Sequence, residues 1–152
     1  MCTSHQQLFL ICPFCQLETF LTQQFGNAFF LTAPASVFYF DEDEYLAGVK
    51  QFIEDEGIQR IYLVGDVSCY FVQNTLNRQR STYLRCENYI KELLTESDSA
   101  FSLTHKLLRR QKYELTDERI FGTEIQQNKL QVQTLITSVR TGEILKGEKM
   151  YA

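Results

Sequence analysis

The chain has 152 residues, 44% of them hydrophobic and 22% charged, with a formal net charge of -4. That is an ordinary globular composition with room for one domain and its core, so a single domain over 1–152 is expected. The charge excludes the electrostatic footprint of a nucleic-acid binder, and no apolar run reaches the roughly 18 residues of a membrane-spanning helix.

The start, MCTSHQQ, carries no basic region ahead of its short apolar run and does not read as a signal peptide. The expected compartment is therefore the cytoplasm, with no membrane partner. Five cysteines are an odd number. In a reducing compartment they are thiols, metal ligands or redox groups rather than a disulfide framework.

In chain order, Leu8–Ile11 is a continuous apolar run short enough for a buried strand. A helix is predicted from about Gln16 to Phe25, with Leu17, Phe20, Leu21 and Phe25 on one face and Gly26 as its stop. Ala28–Leu31 reads as a second buried strand. Asp41 is placed as the cap of a helix over about 42–56, whose acidic first turn suits the helix dipole. Tyr45, Leu46, Val49, Phe52 and Ile53 form its expected buried stripe, and Gly57 ends it.

Ile61–Val64 is a third short strand, followed by Gly65 and a loop carrying Asp66 and Cys69. A helix over 81–95 is expected to turn Leu84, Ile90, Leu93 and Leu94 inward. Within 97–125 the pattern supports a helix around 102–112, and the basic cluster LLRRQK (107–112) reads as its solvated face. Lys129–Val139 is a last long strand, with a Thr141-Gly142 turn into a short tail strand.

Strands alternating with helices imply crossover connections: an α/β fold with a mostly parallel β-sheet flanked by helices on both faces. Sites in such sheets gather beyond the carboxyl ends of the strands. Cys12 and Cys15 follow the first strand; Asp66 and Cys69 follow the third. If those strands are neighbours, the four residues meet in one crevice. Cys12, Asp66 and Cys69 could then hold zinc, with Cys15 in reserve. His5 and His105 are expected at the surface or in packing.

The dithiol alone supports a second reading. A CxxC at a helix start places one thiol near the positive end of the helix dipole, which lowers its pKa. Cys12 is then the nucleophile and Cys15 the resolving thiol of a thiol–disulfide oxidoreductase. CPFC is close to the CPYC of glutaredoxins, although nothing downstream repeats that family's TVP-like loop or glycine pair.

The order of the pieces resembles the β-class carbonic anhydrases. Cys12-Pro13-Phe14-Cys15-Gln16 stands where that family has Cys-x-Asp-Ser-Arg. FGNAFFLTAPAS (25–36) follows the pattern of its PGDAFVVRNAGN segment. IYLVGDVSCYF (61–71) keeps the frame of its GHxxCG loop, and NKLQVQTLITSVRTGEIL (128–145) that of its last strand. The likeness covers about 8–96 and 125–146; 97–124 has no clear counterpart.

The resemblance implies a β-carbonic-anhydrase-like fold, a zinc site and, because that family pairs subunits, a homodimer. Residue by residue it keeps Cys12 and Cys69 as ligands but puts Asp66 where the family's histidine stands. Phe14 and Gln16 replace its Asp–Arg dyad, and Tyr70 replaces a glycine, adding bulk to the pocket. A carboxylate in place of imidazole makes a zinc-bound water less acidic. The expectation is a carbonic-anhydrase-like protein without carbon dioxide hydration, in a binding or regulatory role. A zinc hydrase with a Cys/Asp/Cys ligand set is the remaining alternative.

Overall fold

The computed structural model describes residues 6–78 and 84–147. Five strands form one sheet: β1 (Gln7–Ile11), β2 (Phe29–Thr32), β3 (Arg60–Asp66), β4 (Gln131–Ser138) and β5 (Glu143–Gly147). Their spatial order is β2-β1-β3-β4-β5. The first three pairings are parallel, and β5 returns antiparallel on β4. Around the sheet run α1 (Leu17–Phe25), α2 (Asp43–Glu56), α3 (Tyr70–Leu76), α4 (Arg85–Lys91), α5 (Ala100–Leu115) and α6 (Thr123–Gln126). None of the described helices is long and apolar enough to cross a membrane.

The sheet is buried on both faces, so its central strands read as continuous apolar runs rather than alternating ones. Leu8, Leu10, Ile61 and Leu63 pack against Leu46 and Val49 of α2 and Leu108 and Leu115 of α5. Phe9, Ile11, Tyr62 and Val64 face the other way onto Leu17, Phe20 and Leu21 of α1. The Phe9 and Tyr62 rings stack at 4.8 Å. Burying each such ring contributes about 2–3 kcal/mol.

Gly65 sets how closely α5 lies on β3. A Cβ there would stand 2.5 Å from Thr104 Cγ2, so only a glycine admits the helix at this separation. Gly57 ends α2 in the left-handed conformation, with φ 65.

Several local expectations change. The N-cap of α2 is Glu42, not Asp41, and it makes no side-chain cap bond. Phe52 is exposed, because it turns toward the open side of edge strand β2 rather than into the core. The helix expected over 81–95 is shorter, Arg85–Lys91; 81–83 lie outside the described residues. Leu84 caps that helix exposed, and Leu93 and Leu94 lie beyond its end, half-buried. Segment 97–124 supplies α5, one π-helical turn (Glu118–Gly122) and the start of α6.

Candidate metal centre

β1 and β3 are hydrogen-bonded parallel neighbours, so the chain segments leaving their carboxyl ends meet. Cys12 is the first residue beyond β1. Pro13 then opens a single 3-10 turn, Pro13–Cys15, whose closing bond runs from Cys15 N to Cys12 O at 3.3 Å. That turn folds the second cysteine back over the first. Gln16, in a left-handed conformation (φ 53), redirects the chain into α1. On the neighbouring strand, β3 ends at Asp66. A turn closed by Cys69 N on Asp66 O at 3.0 Å brings Cys69 to the N-cap of α3.

The result is a cluster of three sulfurs. The Sγ atoms of Cys12, Cys15 and Cys69 all lie within 4.8 Å of one another. Cys12 and Cys69 are buried and Cys15 is half-buried; none is in a disulfide. The loop after β2 packs against Cys12. There Ala35 and Ser36 both take positive φ (60 and 59), a region costing a non-glycine residue about 1 kcal/mol or more. The strain aims the Ala35 N–H at Cys12 Sγ, 3.2 Å away. Ser36 Oγ donates to Val64 O at 2.8 Å and anchors the loop to β3.

The electrostatics follow from this packing. The Cys15 and Cys69 sulfhydryls donate to Cys12, and the N–H groups of Phe14 and Ala35 support its charge against the opposing effect of burial. Together they hold the Cys12 thiol far down, at about 3. Cys15, giving its proton to Cys12, is pushed well up; Cys69 is raised to about 12 by its bond to Cys12. The arrangement favours a thiolate at Cys12 over one at Cys15 or Cys69. Such a donor set fits a single soft cation, which displaces the thiol protons as it binds.

Asp66 has a different job. Its Oδ1 accepts the Thr137 hydroxyl at 2.7 Å and Val139 N at 2.8 Å. Its Oδ2 accepts Ser68 N at 3.0 Å and the Ser68 hydroxyl. Oδ1 ties β3 to the end of β4, and Oδ2 holds the loop that follows β3. The member that joins Cys12 and Cys69 is Cys15, not Asp66.

Phe14 and Tyr70 lie at the surface. They are 63% and 52% exposed, and both meet Phe71 edge-on, at 5.6 and 5.3 Å. His105 lies on α5, away from the cluster, and His5 and Cys2 lie outside the described residues. Cys86, on α4, is buried in the same apolar cluster as Cys12 and Cys69; burial raises its thiol to about 11.

No family model matches the chain, and no curated protein matches it in sequence. Solved structures do. A β-carbonic anhydrase of the fungal pathogen Aspergillus fumigatus superimposes with a TM-score of 0.75, covering 95% of this chain and 75% of its own at 18% identity. The Coccomyxa β-carbonic anhydrase in complex with acetazolamide gives 0.74, over 95% and 74%, at 12% identity. This chain has the β-carbonic anhydrase fold. A tetrameric β-carbonic anhydrase of Sordaria macrospora adds a TM-score of 0.68 at 14% identity, over 95% of this chain and 83% of that one. At these identities the likeness concerns the β-carbonic anhydrase backbone, and the chemistry has to come from the side chains of this chain.

Proposed function

We propose that this protein is a metal-thiolate module on a β-carbonic anhydrase scaffold, holding one soft cation such as zinc through Cys12, Cys15 and Cys69, and that it does not hydrate carbon dioxide. The observation that carries the reading is the mutual approach of the three sulfurs within 4.8 Å. Three protein ligands leave one zinc position for a small ligand. Three thiolates donate more negative charge than a set with a neutral imidazole, which works against lowering the pKa of water to near neutrality. Phe14 and Gln16 offer no Asp–Arg pair to manage a hydroxide, and the Asp66 carboxylate is engaged elsewhere. The protein then serves in metal binding or regulation, in a reducing compartment such as the cytoplasm.

A homodimer fits the same reading. Among the described residues strand β2 is an open sheet edge, and beside it an apolar groove of about 410 Å³ runs between Phe30, Leu31, Tyr45 and Phe52. An unpaired edge next to apolar surface is a surface that proteins cover.

A second reading rests on the low pKa of Cys12 and the half-exposed Cys15. The Cys12 thiolate would attack a substrate disulfide, releasing one substrate thiolate and forming a mixed disulfide. The Cys15 thiolate would then attack Cys12, releasing the second substrate thiol and leaving Cys12–Cys15 oxidised. The metal reading is preferred because redox exchange has no use for a third sulfur, and Cys69 is there. Parallel assays separate the two. The first reading expects bound metal, and hydration no faster than a Cys12→Ala control. Hydration above that control contradicts it, as does disulfide reductase activity in metal-free protein that Cys15→Ser abolishes.

A further inference from the structure

The three sulfurs of the metal centre are not held alike. Cys69 is buried, and its backbone is pinned on both sides: its N–H donates to Asp66 O at 3.0 Å, and its carbonyl accepts Gln73 N at 3.0 Å. Cys12 is buried at the end of β1, with the Ala35 N–H on its sulfur. Cys15 is half-buried and sits on the turn Pro13–Cys15, none of whose residues is buried. Phe14, in the middle of that turn, only touches Phe71 edge-on from the surface. Cys15 is therefore the sulfur that solvent reaches and the one whose backbone can shift.

The turn also sets which partner Cys15 can take. Its closing bond, Cys15 N to Cys12 O, holds the two Cα atoms less than about 7 Å apart, the span that a disulfide bridges. The two sulfurs already lie within 4.8 Å. Joining them closes a ring over Pro13 and Phe14 alone and asks nothing of the β1–β3 pairing. A bond from Cys15 to Cys69 would instead pull on the pinned start of α3. Cys86 is buried on α4 and is not a member of the three-sulfur cluster.

We propose that the centre is an oxidation-governed metal site, in which a peroxide joins Cys15 to Cys12 as a disulfide and the bound ion is released. The inference rests on the three-sulfur metal reading above. The Cys15 thiolate attacks one peroxide oxygen; the O–O bond breaks, hydroxide leaves and Cys15 becomes a sulfenic acid. The Cys12 thiolate then attacks the Cys15 sulfur, and the S–O bond breaks to release a second hydroxide. The two sulfurs lose two electrons, the peroxide gains them, and two solvent protons turn the hydroxides into water. A disulfide sulfur is no longer a thiolate ligand. Only Cys69 then remains of the three, too few to hold zinc.

The full-length protein is loaded with zinc under reducing conditions, its metal content is measured, and hydrogen peroxide is added with a chromogenic zinc chelator present. Free thiols are then alkylated and the masses of chymotryptic peptides are measured. Cleavage after Phe14 parts Cys12 from Cys15 unless a disulfide joins them. Release of close to one zinc per chain is expected, in step with a Cys12–Cys15 disulfide and with Cys69 still alkylated. Cys86→Ala should behave as the wild type, and dithiothreitol should restore zinc binding. A disulfide that includes Cys69 or Cys86 overturns the proposal, as does zinc release without a Cys12–Cys15 disulfide. Protein that binds zinc and keeps it through peroxide overturns this inference alone. Protein that binds no zinc before peroxide contradicts the metal reading itself, and the inference falls with it.

Discussion

Asp66 Oδ1 accepts the Thr137 hydroxyl at 2.7 Å, across 71 residues of sequence. With Val139 N, that bond makes Asp66 the fastener between the ends of β3 and β4, while its other oxygen holds Ser68 in the loop after β3. Replacing it by alanine strands the buried Thr137 hydroxyl and three part-buried donors at once. Asp66→Ala should lower unfolding stability by about 2–4 kcal/mol in urea denaturation. Metal content at a temperature where the variant is folded should be unchanged, whereas loss of metal from folded protein would return Asp66 to the ligand set.

Gly65, one residue earlier, should tolerate nothing larger. The added methyl of Gly65→Ala meets Thr104 Cγ2, and overpacking of this kind costs about 1–3 kcal/mol. Thr104→Ser removes the opposing methyl. A double-mutant cycle should therefore give a favourable coupling between the two changes, read from denaturant midpoints.

Asp98 anchors the start of α5. It accepts Lys106 Nζ at 2.7 Å, Thr95 N at 2.8 Å and the Ser102 hydroxyl at 2.7 Å. The Lys106 ammonium, and then these hydroxyl and amide donors, hold its carboxyl well below the usual range against the effect of burial. A depressed carboxyl pKa contributes stability that is present above the unfolded value and lost as pH falls toward the folded one. Asp98→Ala should thus cost roughly 1 kcal/mol at neutral pH. The gap to wild type should begin to narrow below about pH 4, where the unfolded carboxyl takes up its proton, and close only as pH approaches the depressed folded value. A gap that stays constant into acid would mean that the carboxylate charge plays no part.

The groove beside β2 should be an interface. Phe52 is 39% exposed and meets Phe29 edge-on at 5.1 Å. Phe52→Glu should shift sedimentation from dimer to monomer while leaving circular dichroism unchanged. A wild type that sediments as a monomer across micromolar concentrations would remove the dimer.

Much of the architecture was legible because burial writes itself into period and run length. The runs at Leu8–Ile11 and Ile61–Val64 and the stripe of α1 needed no tertiary information. Helix α3 was missed because it is short and begins at Cys69, where the sequence reads as a loop. The cysteine cluster was legible in part. Cys12 and Cys69 depended on one unproved adjacency, β1 beside β3, which the sheet supplies. Cys15 was held in reserve because Asp66, beyond the third strand, offered a carboxylate for the further position. The local signal was there: a proline between two cysteines makes a turn tight enough to return the second sulfur to the first. The partners of Asp66 were beyond reach, since Thr137 and Val139 come near only once β4 lies on β3. Gln111 was read with a solvated basic face, yet it points inward between the exposed Arg109 and Arg110 and the half-buried Lys112.

The most direct test of the three-sulfur centre is metal stoichiometry by elemental mass spectrometry on reduced, folded protein, run on wild type, Cys15→Ala, Cys69→Ala and Cys86→Ala together. Close to one thiophilic ion per chain is predicted for wild type and Cys86→Ala, with loss in Cys15→Ala and Cys69→Ala. Full metal content in Cys15→Ala, or no metal in a wild type reconstituted with zinc, would contradict the account.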